Sequence, residues 1–321
     1  MSSEGNGRRP GTVPPTLPSF AVAAMVREAP GDLARFGAHY ARAGAARVDL
    51  YGDGPEDHLG AVAGVAGVAG LRFTPCDAAF WDGLGLPRPG GVEARQTAVY
   101  EHAFAGLGAD WLLACDADEL AFGEGEDALR RFLSAVPEEV VSVQIPSAEA
   151  VYGPGDPVGA AWAARWFRLP TDDEALLAEA YGEDARLLQR GLLGHHEGKQ
   201  LLRRAARPAW IGLHVSGRPG GGVLTVPAAE ALARESPVRL GHYDALSYER
   251  WAAKWAARLS GRTRAELMGE RRRAQMAVIG EALAAGEGEA LFRRLYGLDA
   301  RQAGLLSEAG ALVRRDLFAE G

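Results

Sequence analysis

The sequence predicts an α/β protein with a mainly parallel sheet flanked by helices, followed by a helical C-terminal extension. Over residues 20–146, apolar segments of strand length alternate with segments of helical periodicity, which is the pattern of βαβ units. From residue 247 onward the pattern is helical to the end of the chain. Hydrophobic residues make up 47% of the 321 residues, which is enough for a packed core.

Each element is predicted from its own pattern, because strands buried on both faces of a parallel sheet are continuously apolar whereas helices space apolar residues by three or four. The predicted strands are 20–26, 46–51, 71–75, 111–115 and 139–146, and the predicted helices are 32–43, 92–107 and 127–136. After residue 146 only short strand-like pieces occur, at 162–169, 200–203 and 209–215.

These elements suggest three regions. Residues 1–18 are polar and rich in Pro and Gly, so they are predicted to be a disordered arm. Residues 19–236 are predicted to form the nucleotide-binding and catalytic domain, and residues 237–321 the helical extension, although a single domain is an equal alternative.

Charge and hydropathy exclude several classes of protein. A net charge of −7 argues against a general nucleic-acid binder, which would carry a basic face. The N-terminus lacks the apolar centre of a secretory signal, and no apolar segment approaches the ~20 residues that span a bilayer. Two cysteines do not make a disulfide framework. We therefore expect a cytoplasmic protein without a transmembrane segment, and a peripheral membrane contact stays open.

The segment WLLACDADELAF, residues 111–122, is the strongest functional signal. A buried apolar strand runs into Asp116 and Asp118, and carboxylates at such a position are costly unless a cation or hydrogen-bond donors compensate them. Carboxylate pairs of this kind hold Mg²⁺ or Mn²⁺ and leave positions for substrate phosphates. The alternative is an acidic surface turn or a helix cap.

Other side chains are candidates for the same site. Asp53 follows the second predicted strand and could accept hydrogen bonds from a base or ribose, although a plain turn explains it equally well. Arg95 and Gln96 open a helix, where an arginine can clamp a phosphate or simply face solvent. His214 and His242 could each add an imidazole to a carboxylate-bound metal, although a single histidine is more often an ordinary hydrogen-bonding residue.

In their order, these motifs resemble those of GT-A-fold glycosyltransferases, specifically the bacterial group related to family 2. The resemblance covers residues 20–254 and rests on these matches: Tyr51-Gly52-Asp53-Gly54 to Y-D-D-G; Arg95, Gln96 and Tyr100 to R-Q-x-x-x-Y; Asp110, Trp111, Asp116, Asp118 and Glu119 to D-W-h-x-x-x-D-x-D-E; and the later Gly198-Lys199, His214-Val215 and His242-Tyr243 pairs.

The resemblance implies an enzyme that moves a sugar from a nucleotide-diphosphate donor to a glycan, lipid or small-molecule hydroxyl, with Mn²⁺ or Mg²⁺ at Asp116 and Asp118. It also implies that Asp53 contacts the nucleotide base and that a late histidine completes the metal shell, with His214 slightly preferred. An inverting transferase needs a general base as well, and Glu149 and Asp156, after the fifth predicted strand, are the candidates.

Two other functions compete with this one. The first is a haloacid-dehalogenase-like phosphatase, in which Asp116 would be the nucleophile and Asp118 the acid or base; Leu120 stands where such enzymes have Thr or Val. The second is a non-catalytic protein that binds a sugar nucleotide, which is suggested by Pro55 in place of the family's serine.

Overall fold

The computed structural model describes residues 16–54, 70–262 and 269–318, and these residues form a mixed α/β fold. Residues 1–15 of the predicted arm (residues 1–18) and residues 55–57 lie outside the described residues. The strands are β1 (Phe20–Val26), β2 (Arg47–Gly52), β3 (Leu71–Pro75), β4 (Trp111–Ala114), β5 (Glu119–Phe122), β6 (Ser142–Ile145), β7 (Ser147–Val151), β8 (Trp166–Arg168), β9 (Lys199–Arg203), β10 (Trp210–Ile211), β11 (Ser216–Gly217), β12 (Arg239–His242) and β13 (Leu312–Arg314).

The α-helices of the described residues lie between these strands in the chain. They are α1 (Pro30–Arg42), α2 (Ala78–Gly83), α3 (Val92–Ala105), α4 (Ala128–Ser134), α5 (Glu174–Tyr181), α6 (Pro227–Arg234), α7 (Tyr248–Ala257), α8 (Glu270–Ala284), α9 (Gly288–Tyr296) and α10 (Ala300–Glu308). In the described ranges, no helix is long and apolar enough to cross a membrane.

The central sheet has the strand order β3-β2-β1-β4-β9-β6. Its first four strands are parallel, and β9 is antiparallel to both of its neighbours. The predicted α/β class with a mainly parallel sheet is thereby confirmed. Strands β2 and β3 extend the sheet on one side of β1, and β4 pairs with β1 on the other side. The strand order therefore reverses between β1 and β4.

Helices cover both faces of this sheet because β1 is apolar on both. Val22 and Ala24 pack on the side of α1, whose Phe36 is fully buried. Ala21 and Ala23 pack on the other side, with α3. The strand thus has the continuous apolar pattern from which it was predicted.

A second, five-stranded sheet with the order β13-β8-β7-β12-β5 was not predicted. The chain leaves the central sheet at the end of β4, passes through the acidic turn, and enters the second sheet as β5. Helix α1 holds β5 in place: the Tyr40 hydroxyl donates to the Glu119 carbonyl at 2.9 Å, and His39 Nε2 lies 2.8 Å from the Ala121 carbonyl. The acidic turn is therefore fixed between two sheets.

Two parts of the sequence-based prediction were wrong. The strand expected over 139–146 is shorter, and the chain changes sheets at Pro146, which has no N–H for a continuous ladder. The end of the chain was expected to be helical, yet Leu312–Arg314 forms β13 and pairs with β8. The helical C-terminal region itself is present, from α7 to α10. The division near residue 237 stays a prediction; β12, which begins just after it, lies between β5 and β7.

Candidate active site

The candidate site lies at the carboxyl ends of β1, β2 and β4, where the strand order of the central sheet reverses. In open α/β sheets, ligands bind at this crevice because the loops on its two sides diverge. Arg27 and Glu28 follow β1, Asp53 follows β2, and Asp116 follows β4. The topology thus brings charged groups from distant parts of the sequence to one edge.

Asp53 is surrounded by three arginines. Its buried carboxylate lies 3.0 Å from Arg27, 2.6 Å from Arg88 and 2.9 Å from Arg95. Arg95 is itself buried, whereas the side chains of Arg27 and Arg88 are 58% and 45% exposed. One carboxylate therefore holds a cluster with an excess of positive charge, and two of its cations reach the surface, where an anion can approach.

Neighbouring residues on α3 connect this cluster to the acidic turn. Arg95 donates to Asp53 and, through Nη1, to the carbonyls of Pro89 and Gly90, each at 2.9 Å. Gln96 Nε2 donates to Asp116 Oδ1 at 2.8 Å. In this arrangement, Arg95 and Gln96 position the two carboxylates, and the guanidinium of Arg95 is directed at protein groups.

Lys199 places an ammonium directly beside the acidic turn. Its Nζ lies 2.8 Å from Asp116 Oδ2 and 3.5 Å from Glu119 Oε2, and its side chain is only 3% exposed. Burial alone would lower the pKa of Lys199, but the two carboxylates raise it above its ordinary value. Burial raises the pKa of Glu119 to about 7, against the opposing attraction of Lys199. The lysine is therefore a fixed positive charge at the end of β4.

Gly198 is required to bring Lys199 to this position. Its φ is +70°, and a Cβ built there would lie 1.8 Å from the Ile145 carbonyl oxygen. Only glycine tolerates both this backbone conformation and this close approach. The following residue can then begin β9 in register with β6, opposite Ile145.

Asp118 and His242 form a second pair within the site. His242 Nε2 lies 3.7 Å from Asp118 Oδ2 and 3.8 Å from Asp244 Oδ1, and Asp244 is also paired with Lys254. Burial alone would lower the pKa of His242, but the carboxylates of Asp118 and Asp244 raise it to about 9. Despite its own burial, Asp118 has a lowered pKa because His242 stabilises its charge.

A divalent cation fits only part of the predicted ligand set. Among the described residues, no group of three or more His, Cys, Asp or Glu side chains is placed to hold a metal ion. Both oxygens of Asp116 accept from protein donors, and His214 Nδ1 lies 2.7 Å from the Gly198 carbonyl. Asp118 and His242 are the predicted ligands that the structure brings together. Mg²⁺ commonly takes one or two protein ligands and fills its shell with phosphates and water.

Glu149 is next to this pair but is tightly held. It lies opposite His242 in the register of β7 and β12, and it is 1% exposed. Its oxygens accept from Arg168, from the Leu193 amide at 3.0 Å and from the Gly194 amide at 2.7 Å. The structure thus shows Glu149 anchoring the loop before β9, and its role as a base stays a prediction.

Sequence reasoning assigned no role to several residues of the site. Lys199 and Glu119 were noted only as parts of motifs, although a lysine at the start of an apolar strand needs a buried partner. Glu28 is another residue of the site that had no assigned role. Burial, together with the charges of Asp118 and Asp116, raises its pKa. Lys254 was considered as a helical residue that could face an anionic ligand, and Asp244 had no signal in the sequence.

Comparison with known proteins adds little to this description. No protein-family model matches the chain, and no curated protein sequence does so. Solved structures with some likeness include a mycobacterial protein (14% identity, 82% of each chain covered, TM-score 0.36). Another is 4-diphosphocytidyl-2C-methyl-D-erythritol synthase from Anaerococcus prevotii (11% identity, 58% of this chain and 69% of that chain covered, TM-score 0.30). A third is galactosyltransferase LgtC in complex with donor and acceptor sugar analogues (14% identity, 58% of each chain covered, TM-score 0.25). These TM-scores are too low to assign a family or a function.

Proposed function

We propose that this protein is a glycosyltransferase that uses a nucleotide-diphosphate sugar as donor. The observation that carries the proposal is the position of Asp53, Asp116 and Asp118, with the cations around them, at the point where the strand order reverses. Such a crevice is where open α/β sheets bind nucleotides. The motif resemblance described above supports the same substrate class.

The charges of the site suit a diphosphate that leaves as an anion. Arg27 and Arg88 reach the surface beside Asp53, and Lys199 adds a positive charge beside Asp116. Positive charge fixed where negative charge develops lowers the barrier of group transfer, because the protein does not have to reorganise during the reaction. Arg27 and Arg88 are thus the groups proposed to bind the phosphates, and Lys199, whose side chain is 3% exposed, would act on them through its charge alone.

We further propose that Asp118 and His242 hold the Mn²⁺ or Mg²⁺ ion predicted from the sequence. When bound, the ion would neutralise charge on the leaving diphosphate. His242 would have to release its proton in order to ligate a cation. Asp116, whose oxygens accept from Gln96 and Lys199, would contribute by positioning Lys199.

Calorimetric titration with UDP-, GDP- and dTDP-sugars, with Mn²⁺ and with EDTA, tests both proposals. We expect at least one donor to bind, and we expect Asp118→Asn to weaken binding in Mn²⁺ more than in EDTA. Glu289→Gln is the matched control, because Glu289 is an exposed carboxylate on α9 paired with Arg293. Absence of donor binding under every condition would refute the transferase.

Activity assays combined with this titration separate the competing functions. Hydrolysis of p-nitrophenyl phosphate that Asp116→Asn abolishes, without donor binding, would identify a phosphatase. Donor binding without hydrolysis or transfer to any acceptor would identify a non-catalytic binding protein. If the donor binds equally well in Mn²⁺ and in EDTA, and Asp118→Asn does not change its affinity, the proposed metal site is refuted. The proposed donor site is supported by the same result.

A further inference from the structure

A cavity that has no role in the proposed donor site opens beside that site. Its volume is about 910 Å³, and its walls come from the loop before β9, the β10–β11 hairpin and helix α6. Charged side chains of Glu197, Glu230 and Arg234 line it, together with one large aromatic side chain, Trp210. Small-molecule sites commonly combine an apolar surface with a few polar groups in this way.

Trp210 is held in a fixed orientation by two glycines. It pairs with Gly217 across the antiparallel hairpin, and Gly212 follows two residues later, just after β10, so both glycines lie on its side of the hairpin. A Cβ built at position 217 would lie 2.1 Å from indole Nε1, and one at position 212 would lie 2.9 Å from Cζ3. The indole therefore lies flat on the backbone of the hairpin.

This packing leaves the indole open on its outer side. Trp210 is 44% exposed, which makes it one of the most exposed large hydrophobic side chains among the described residues. A tryptophan presents a large rigid surface and loses little conformational entropy when a ligand covers it. An aromatic face that is already oriented within a polar cavity suits a ligand with one apolar face and many hydroxyl groups.

The cavity is connected to the proposed donor site through His214. This side chain lines the cavity, and its Nδ1 lies 2.7 Å from the carbonyl of Gly198. The next residue, Lys199, contacts Asp116 at 2.8 Å. A ligand in the cavity is thus separated from the acidic turn by a single short segment of chain.

We propose that this cavity binds a saccharide, with one sugar ring stacked on Trp210 and its hydroxyl groups directed to the charged side chains. A pyranose ring carries axial C–H groups on one face, which pack against an aromatic ring, and hydroxyl groups at its edge, which accept and donate hydrogen bonds. The role of this saccharide as the acceptor rests on the proposed function; its binding does not.

Indole N–H signals in ¹⁵N NMR spectra of the full chain provide the test. Trp210→Phe identifies the Trp210 signal among the seven tryptophans. The probes are methyl hexosides, methyl N-acetylhexosaminides, methyl uronides and α- and β-linked disaccharides at millimolar concentration. We expect at least one probe to shift the Trp210 signal in a saturable way.

Substitutions then test the stacking itself. Because these variants lack the Trp210 indole signal, calorimetric titration measures their saccharide affinity. We expect Trp210→Ala to weaken saccharide binding about tenfold or more, and Trp210→Phe to weaken it less, because an aromatic face contributes on the order of a tenfold change in affinity. Val223→Ala, which truncates another exposed hydrophobic residue near the same hairpin, should leave binding unchanged. Melting temperatures of all three variants show whether each is folded.

Each result decides one proposal. If no saccharide shifts the Trp210 signal, or if Trp210→Ala binds as well as the unaltered protein, the saccharide site is wrong. If UMP or GMP shifts this signal and saccharides do not, the cavity binds a nucleobase, and the proposal is equally overturned. If saccharides bind at Trp210 while no nucleotide sugar binds anywhere, the saccharide site is supported and the proposed transferase function is refuted.

Discussion

Replacement of Lys199 by methionine tests whether its ammonium stabilises the acidic turn. Methionine keeps most of the volume of the side chain and removes the charge together with the hydrogen bond that Nζ donates to Asp116. The ammonium lies 2.8 Å from Asp116 and 3.5 Å from Glu119, and the side chains of Lys199 and Glu119 are 3% and 5% exposed. The substitution thus leaves a buried carboxylate without its cation.

The expected loss in the free energy of unfolding is about 3 kcal/mol. Removing one partner of a buried ion pair costs about 3–5 kcal/mol, and two features favour the lower end. Asp116 keeps contact with water, since its side chain is 37% exposed. Glu119, whose pKa is about 7, can take up a proton when the lysine is removed.

The pH dependence of this loss has a definite sign. The folded-state pKa of Glu119 is raised above its ordinary value of 4.5, so its charged form opposes folding increasingly as the pH rises from about 4.5 through 7. Without Lys199 the pKa rises further. The loss should therefore be larger at about pH 8 than at about pH 5.

Urea unfolding of four proteins measures these effects: the unaltered protein, Lys199→Met, Lys199→Met/Glu119→Gln and Arg293→Met. The double variant should regain about 1–2 kcal/mol, because it removes the uncompensated charge. Arg293→Met, which breaks an exposed pair with Glu289, should cost about 0.5 kcal/mol or less. A loss below about 1 kcal/mol in Lys199→Met, or no recovery in the double variant, would refute the reasoning.

Three further predictions concern other residues. Asp53→Asn should cost about 3 kcal/mol in urea unfolding, because it removes the buried anion shared by three arginines. Gly198→Ala should cost at least about 3 kcal/mol, because it combines backbone strain at φ +70° with a Cβ 1.8 Å from the Ile145 carbonyl. Burial lowers the folded-state pKa of His39 to about 4 from 6.5. The stability that neutral His39 contributes is therefore complete above about pH 6.5 and is lost as the pH falls. Relative to His39→Gln, the free energy of unfolding should decrease by about 2 kcal/mol between pH 7.5 and 5.

Controls and opposing results are available for each of these. For Asp53, a loss below about 1 kcal/mol would show that the arginines do not depend on the carboxylate. Gly31→Ala in α1, where a Cβ meets nothing within 4 Å, should be neutral or slightly stabilising; an equally mild effect at Gly198 would contradict the steric reasoning. For His39, parallel pH profiles of the two proteins would show that its burial has no effect on stability.

Local sequence was sufficient for the central sheet and insufficient for the second sheet. The four parallel strands were recognisable because β1 and β4 are continuously apolar and β2 and β3 are short, mainly apolar segments next to turn residues or helices. By contrast, β5 and β13 are only four and three residues long and have no periodicity of their own. They become strands only because β12 and β8, which are far away in the sequence, supply their hydrogen-bond partners.

The candidate site shows the same division between sequence and tertiary structure. By itself, the sequence determined the apolar strand that leads into Asp116 and Asp118. It also determined that other groups must compensate these carboxylates, because burial makes an uncompensated charge costly. Only the tertiary structure decided which groups compensate them, namely Lys199 at Asp116 and His242 at Asp118. Those partners lie on β9 and β12, and the physical reason is that ion pairing depends on distance in space, which strand pairing sets and sequence separation does not.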